Sequence, residues 1–222
     1  MGRSPVFLLK MKKSTWILIA TGITIFGVYV ALKYVSPKPK PNGEIPPRPH
    51  PDLYPVTSIV QQMNAVSAGT TYSRISRAEA EQIAESCLKW AEVRGFDWPT
   101  VLAIPAHESF PDFNPWSEGD NGTALGLWQI REIAIRDLYD PSRDKYYLDQ
   151  YGHPFEWGSK LFEIDYAFEA GTMYLWNVLK NYAGGDVNIA ISKYKGLEGY
   201  PEYLKAVSEK KEEILRLYEL YK

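Results

Sequence analysis

The sequence predicts a mainly α-helical domain that follows an N-terminal membrane helix and a proline-rich spacer. Three observations support this prediction. Residues 14–32 contain no charged side chain, and eight of the 16 prolines lie within residues 37–55. The rest of the 222-residue chain has apolar residues at helical spacing and several helix-start signals, but no convincing alternating strand. A chain of this length holds one domain of ordinary size plus accessory segments.

Residues 14–35 are predicted to form a transmembrane anchor. A spanning helix needs roughly 20 apolar residues, and the uncharged run has 19. Basic residues flank the run, namely Arg3, Lys10, Lys12 and Lys13 before it and Lys33, Lys38 and Lys40 after it. This modest bias places the tail 1–13 in the cytoplasm and the rest of the chain outside. The alternative is a cleaved signal peptide, but the run is longer than usual for one and no A-x-A site follows.

Residues 36–55 are predicted to form a stiff spacer. Proline at this density excludes helix and sheet interiors and favours polyproline II, which would extend to about 60 Å. The alternative is a proline-rich ligand for a partner domain, although nothing in the stretch selects a particular groove. An anchor followed by such a spacer would hold a domain away from a bilayer.

Residues 56–222 are predicted to form the folded domain. Residues 56–73 carry no clear signal beyond a short helix at their start. The next helix begins with a capping box, Ser76 with Glu79, and ends at Gly95. Its apolar stripe consists of Ala80, Ile83, Ala84, Cys87 and Ala91. Cys87, the chain's single cysteine, is therefore predicted to be a core residue rather than a reactive thiol.

Further helices are predicted towards the C-terminus. Pro99 opens one helix, "PTVLAIPAHES", and Pro105 is expected to kink it. The others cover about 127–139, 161–182, 186–195 with Asp186 as cap, and 201–221. The intervening segment 140–160 is long for a structureless connection, and such loops are often functional.

Composition and spacing exclude several function classes. Lys plus Arg is 25 and Asp plus Glu is 27, which argues against nucleic-acid binding. The three histidines, His50, His107 and His153, lack ligand spacing, and Pro111 stands where a zinc protease would need its second histidine. Ser109 lacks a G-x-S-x-G setting. Neither a metal nor a cofactor is predicted.

Glu108 is the strongest candidate for catalysis. It ends the apolar helix "TVLAIPAHE", and an apolar setting keeps a carboxyl protonated by disfavouring its charged form. A protonated glutamate can deliver a proton to a glycosidic oxygen. Exposed glutamates at helix ends are common, however, so this position alone is weak evidence.

Four motifs, taken together, are more specific. They are "ESFPDFNP" at 108–115, "SEGDNGTALGLWQI" at 117–130, "FEAGTMYL" at 168–175 and "ISKYKG" at 191–196. In order and spacing they resemble the lysozyme-like soluble lytic transglycosylase (SLT) family, glycoside hydrolase family 23, which is related to goose-type lysozymes. The resemblance covers about 81–203 and implies a lysozyme-like helical catalytic domain. The anchor and the spacer lie outside it.

The resemblance also implies roles for individual residues. Glu108 matches the catalytic acid/base, and Ser109 matches a serine that supports the site. Gln129 matches a sugar-binding glutamine, Gly126 a glycine whose backbone approaches the sugar, and Tyr194 a tyrosine that bonds near the catalytic carboxyl. There are two departures. Trp128 replaces the usual methionine, which would widen aromatic contact, and Lys195 stands where the family usually has asparagine.

The implied activity is cleavage of MurNAc–GlcNAc β-1,4 bonds in peptidoglycan strands with a 1,6-anhydro product, on the wall-facing side of a membrane. The alternative within the fold is a lysozyme that hydrolyses the same bond. Asp120 is then the candidate second carboxylate, although a plain turn role in "GDNG" is also open. An alternative of another class is a non-catalytic, membrane-tethered wall-binding or scaffold protein. The host is either a bacterium or a phage with an internal virion membrane.

The aromatic side chains of the 140–160 loop have two open interpretations. These are Tyr146, Tyr147, Tyr151, Phe155 and Trp157. Either they line a sugar groove, because aromatic faces stack on sugars, or they pin the loop to the core.

Overall fold

The computed structural model describes residues 50–140 and 145–222. These residues contain seven α-helices: α1 Leu53–Ala68, α2 Arg77–Arg94, α3 Trp98–Glu108, α4 Glu132–Leu138, α5 Ile164–Asn181, α6 Val187–Ser192 and α7 Pro201–Tyr221. Five two-residue strands accompany them: β1 Glu118–Gly119, β2 Ala124–Leu125, β3 Ile130–Arg131, β4 Tyr139–Asp140 and β5 Lys145–Tyr146. Short 3-10 helices lie at Asp120–Gly122 and Ser159–Phe162. The prediction of a mainly α-helical domain is confirmed.

The predicted anchor, 14–35, and the predicted spacer up to residue 49 lie outside the described residues. Within the described part of the chain, no helix combines the length and apolarity needed to cross a membrane. The end of the predicted spacer is wrong by a few residues, because α1 begins at Leu53 and includes Pro55. Proline is tolerated there because the N–H groups of a first helical turn have no partner within the helix.

The capping box of α2 acts as predicted, and Pro99 lies in the first turn of α3 as predicted. The Ser76 hydroxyl accepts a hydrogen bond from the Glu79 backbone N–H at 3.2 Å, and the Glu79 carboxylate accepts one from the Ser76 N–H at 2.7 Å. Gly95 ends α2 with φ of 73°, a left-handed conformation that suits glycine. Asp97 caps α3 through the Thr100 N–H at 3.1 Å, and α3 continues through Pro105 to Glu108.

The segment that joins α3 to α4 differs from the prediction. A helix over 127–139 is wrong, because only Glu132–Leu138 is helical and Gln129 has φ of 45°. In its place β1, β2 and β3 form an antiparallel sheet in that order, with Leu125 opposite both Glu118 and Ile130. Strands of two residues are too short to show an alternating pattern, so sequence periodicity does not reveal them.

The core lies where the sheet segment meets the helices. α3 packs along α7, and α2 packs against α1 and α5. Trp128, Phe113 and Phe168 are among the largest fully buried side chains, and Cys87 is buried as predicted. Trp128 lies so close to α5 that a Cβ added to Gly171 would stand 2.2 Å from its ring. The third SLT-like motif, "FEAGTMYL", therefore supplies a glycine that admits the indole.

The aromatic residues of the 140–160 loop mainly attach the loop to the helices. Tyr147 packs edge-on against Trp176 at 5.8 Å between ring centroids, and Phe155 is buried. The Trp157 indole N–H donates to the Ile130 carbonyl at 3.2 Å. Tyr151 is exposed, and the side chain of Tyr146 lies outside the described residues. These contacts favour the pinning interpretation for the three attached residues.

Candidate active site

Glu108 is the last residue of α3, and Ser109 fixes the point where that helix ends. The Ser109 N–H and hydroxyl both donate to the Pro105 carbonyl, at 3.1 and 2.7 Å. Ser109 is buried and has extended backbone angles, so the chain turns away directly after Glu108. The Ser109 hydroxyl is therefore bonded to the helix backbone rather than directed towards a ligand.

Glu108 faces an open cleft between the helices and the small sheet. The lining residues are Glu108, Gly119, Asp120, Ala124, Gln129, Ile130, Arg131, Ile133, Ala134, Tyr174, Tyr194 and Lys195. Four of the six predicted site residues therefore meet here. Ser109 and Gly126 lie behind the lining, and none of the described side chains of the 140–160 loop belongs to it.

Gln129 presents one defined hydrogen-bonding atom to the cleft. Its side-chain amide nitrogen donates to the carbonyls of Ser117 and Gly126, at 3.0 and 2.9 Å. Because both partners accept only, the orientation of the amide is settled and its oxygen is left for other donors. That oxygen lies over Gly119, where an added Cβ would come within 2.2 Å of it. A sugar hydroxyl or an acetamido N–H is a suitable donor.

Glycine is needed at position 126 because of packing within the protein, whereas the prediction was a close approach of its backbone to the sugar. Its φ is 72°, and a Cβ there would stand 2.0 Å from the Leu161 carbonyl oxygen. The close approach is therefore to the 3-10 helix that precedes α5, and Gly126 does not line the cleft. Its carbonyl contributes indirectly, because it holds the Gln129 amide.

Tyr194 forms part of the wall beside Glu108. Its hydroxyl donates to the Trp128 carbonyl at 3.0 Å, and its ring stacks nearly parallel to Tyr203 at 6.1 Å. Burial, and secondarily the charge of Glu108, raises the pKa of Tyr194, so the hydroxyl stays neutral. Tyr194 therefore lies near the Glu108 carboxyl, but its hydroxyl donates to a backbone carbonyl rather than to that carboxyl.

Trp128 does not add aromatic contact in the cleft, and that expectation is wrong. The residue is fully buried and packs edge-on against Phe168 at 5.7 Å. Burial of the apolar indole surface is favourable, and Gly171, which has no side chain, leaves the space that the ring occupies.

Asp120 lies in a turn and also reaches the cleft. It has φ of 50° and Asn121 has φ of 57°, so both occupy the left-handed region that Asp and Asn tolerate in turns. Its carboxylate also lines the cleft, where it pairs with the Arg131 guanidinium and remains half-exposed. It is a turn residue whose charge is neutralised by Arg131.

The surroundings of the Glu108 carboxyl favour its protonated form. Its side chain is 5% exposed, and Oε1 has no hydrogen-bond partner among the described residues. Burial raises the pKa of Glu108, and the Asp120 charge adds slightly to that effect. The Tyr203 hydroxyl, Lys195 and Arg131 oppose the shift.

Three residues lie around Glu108 in positions that the sequence does not predict, or predicts only in part. Tyr203, in the first turn of α7, is buried beside Glu108, and its hydroxyl lacks a hydrogen bond of ordinary geometry to any described residue. Arg131 pairs with Asp120 across the sheet. Lys195 was noted as a departure, but its ion pair with Glu108 at 3.8 Å was not foreseen. No local pattern connects these positions to Glu108.

The arrangement suits acid/base chemistry on a substrate that enters an open cleft. One buried carboxyl can exchange a proton, one amide oxygen can orient a substrate, and a second carboxylate is held by an arginine. Among the described residues, no three His, Cys, Asp or Glu side chains are grouped as a metal site.

A comparison with protein families finds a match that spans the cleft residues. The model of the transglycosylase SLT domain matches residues 85–215, which include every residue of the cleft. A search of curated proteins gives no match. Since the matched region is more than half of the chain and holds Glu108 in a helical fold, the chain belongs to the SLT family of peptidoglycan lytic transglycosylases.

Proposed function

We propose that the protein is a membrane-anchored lytic transglycosylase that cleaves MurNAc–GlcNAc β-1,4 bonds with Glu108 as its single acid/base. The observation that carries the proposal is the Glu108 carboxyl, nearly buried yet directed into an open cleft with one oxygen unpartnered among the described residues. Membership of the SLT family supplies the substrate polymer.

The reaction uses Glu108 twice. The protonated carboxyl first gives its proton to the glycosidic oxygen, and the C–O bond breaks with its electron pair on that oxygen. The N-acetyl group of the muramoyl residue stabilises the resulting cation. The Glu108 carboxylate then takes a proton from the muramoyl 6-hydroxyl, whose oxygen attacks the anomeric carbon and closes the 1,6-anhydro ring. Glu108 returns to its protonated state, so the cycle needs no second carboxylate.

Hydrolysis by a lysozyme-type route is the second candidate, because Asp120 lies in the same cleft as Glu108. A general base must hold water and accept its proton. The ion pair with Arg131 occupies the Asp120 carboxylate. The single-carboxylate route therefore agrees better with the observed contacts.

The proposed location is the wall-facing side of a membrane, either bacterial or the internal membrane of a phage virion. The uncharged run 14–32 and the proline-rich segment after it support this location. On this proposal the spacer lets the cleft reach glycan strands that lie away from the bilayer.

Glu108→Gln tests the assignment of the acid/base. Gln keeps the shape of the side chain and lacks the proton, so we expect murein-clearing activity to fall at least about a hundredfold while the fold is retained. Glu118→Gln is the matched control, because Glu118 is exposed and does not line the cleft. Near wild-type clearance by Glu108→Gln would show that another residue performs the chemistry, and strand binding without cleavage by the wild type would indicate the scaffold alternative.

A further inference from the structure

Lys195 brings a positive charge to the acid/base of the cleft. Its Nζ lies 3.8 Å from Glu108 Oε2 and 5.3 Å from the centroid of the Tyr203 ring. The Lys195 side chain is 48% exposed, whereas the Glu108 side chain is 5% exposed. The ammonium group therefore stands at the mouth of the cleft, in contact with both the buried carboxyl and solvent.

The position of Lys195 is set by its neighbours in the chain. The preceding residue, Tyr194, is buried and anchored through its hydroxyl to the Trp128 carbonyl. The Tyr200 N–H donates to the Ser192 carbonyl at 2.7 Å, which closes the connection between α6 and α7 around Lys195. The Tyr203 ring then offers its face to the ammonium, a cation–π contact. These contacts direct the lysine towards Glu108 rather than into open solvent.

Other charged and titratable groups near Glu108 come from several elements. Arg131 on β3 is already paired with Asp120 in the β1–β2 turn. Tyr194 and Tyr203 have raised pKa values, mainly because they are buried, and remain neutral. Burial, Lys195 and Lys210 together lower the pKa of His107, the residue before Glu108 on α3. Of the described residues, Lys195 alone forms an ion pair with Glu108 within 4 Å.

We propose that Lys195 is a positioning residue that binds Glu108 in its carboxylate form between the two proton transfers. The inference rests on the proposed function. When Glu108 gives its proton to the glycosidic oxygen, a negative charge appears on a nearly buried group. The Lys195 ammonium stabilises that charge without moving a proton itself. When the muramoyl 6-hydroxyl returns a proton to Glu108, the attraction weakens and the cycle closes.

On this proposal, the effect of Lys195 on the reaction rate depends on pH. Lys195 makes Glu108 a stronger acid, which speeds the first proton transfer. It also lowers the pH at which Glu108 loses its proton before substrate arrives, opposing the effect of burial. Removing the charge should therefore slow the enzyme in acid and help it in alkali. A side chain that only supports the fold would change the rate by the same factor at every pH.

The test compares the pH profiles of murein cleavage by the full-length protein and its variants in detergent. Lys195→Met keeps the apolar stem and removes the charge, Lys195→Arg keeps a charge, and Lys205→Met removes the charge of a lysine that is 77% exposed on α7. We expect Lys195→Met to be about two- to fivefold slower than wild type at the acid end of the profile and faster at its alkaline end, so that the profiles cross. Its alkaline midpoint should lie at higher pH than that of wild type, because the Lys195 charge that opposes the effect of burial on Glu108 is gone. Lys195→Arg and Lys205→Met should keep the wild-type profile shape.

A direct titration provides a readout that does not depend on activity. The carboxyl carbon of Glu108, observed by NMR with Glu108→Gln for assignment, should titrate at higher pH in Lys195→Met than in wild type. A parallel loss of rate at all pH values, or an unchanged Glu108 titration, would overturn the proposal. A wild type that releases no murein fragment would instead refute the proposed function, and the NMR titration would still decide whether Lys195 controls Glu108.

Discussion

At the scale of single residues, the site depends on the unequal environments of its two carboxylates. Glu108 is nearly buried and protonated readily, whereas Asp120 is half-exposed and paired with Arg131. Environments that separate two carboxyl groups in this way assign them different tasks. On the proposed function, proton transfer belongs to Glu108, and Asp120 shapes the turn.

Asp120→Asn tests that assignment. Asn also tolerates the left-handed conformation of the turn, so we expect anhydro product at a rate within a few-fold of the parent. If Asp120 activates water, loss of its charge should cost about 10²- to 10⁴-fold in rate. The measurement is the initial rate of muropeptide release, with the thermal midpoint confirming that the variant is folded. A hundredfold loss in a folded variant would favour the lysozyme route.

Residues whose position follows from a local motif could be predicted from the sequence. Residues that are placed by packing between distant segments could not. Glu108 and Gln129 were found through their motifs, and both line the cleft. Tyr203 was missed because only the packing of α7 against α3 brings it to Glu108. The environment of Trp128 was predicted wrongly, because the space that receives the indole is created by Gly171 on α5, far away in the sequence.

At the scale of elements, helices were predictable and strands were not. A capping box and an apolar stripe are local, so the limits of α2 were evident from the sequence. α7 likewise begins at Pro201 and ends at Tyr221 as predicted. The strands β1 to β3 have two residues each and exist through pairing with one another, which leaves no periodic trace.

Gly171→Ala tests the junction between the small sheet and α5. Alanine within a helix ordinarily stabilises it relative to glycine by about 1 kcal/mol. Here the added Cβ would stand 2.2 Å from the Trp128 ring, so we expect a net loss of about 1–3 kcal/mol in the free energy of unfolding. Urea denaturation provides the measurement, and adding Trp128→Leu should reduce the cost of the alanine. Stabilisation by Gly171→Ala alone would contradict the packing described for α5.

At the scale of the whole molecule, a second buried carboxyl makes stability depend on pH. Glu169 on α5 is 1% exposed, and neither of its carboxylate oxygens has a hydrogen-bond partner among the described residues. Burial is the main cause that raises the pKa of Glu169 from 4.5 to about 7. The folded state therefore holds this proton over a range where the unfolded state has lost it.

Glu169→Gln should remove that dependence. Because the folded state binds this proton more tightly, the contribution of Glu169 to stability falls as pH rises from about 4.5 to about 7 and is then constant, a loss of about 3 kcal/mol. Gln carries no charge, so the variant should be more stable than wild type near pH 8 by a similar amount and close to it near pH 4. Urea unfolding at the two pH values measures the difference, with the exposed Glu85→Gln as control. Equal pH dependence in wild type and Glu169→Gln would contradict this account.

The most direct test of the central claim is the chemistry of the product. Purified murein is digested with the full-length wild-type protein in water enriched in ¹⁸O, and the released muropeptides are analysed by mass spectrometry. A single-carboxylate transglycosylase gives 1,6-anhydro ends, which are lighter than reducing ends by one water and carry no ¹⁸O at the anomeric carbon. Reducing ends labelled with ¹⁸O as the main product would contradict the claim and show that the cleft hydrolyses its substrate.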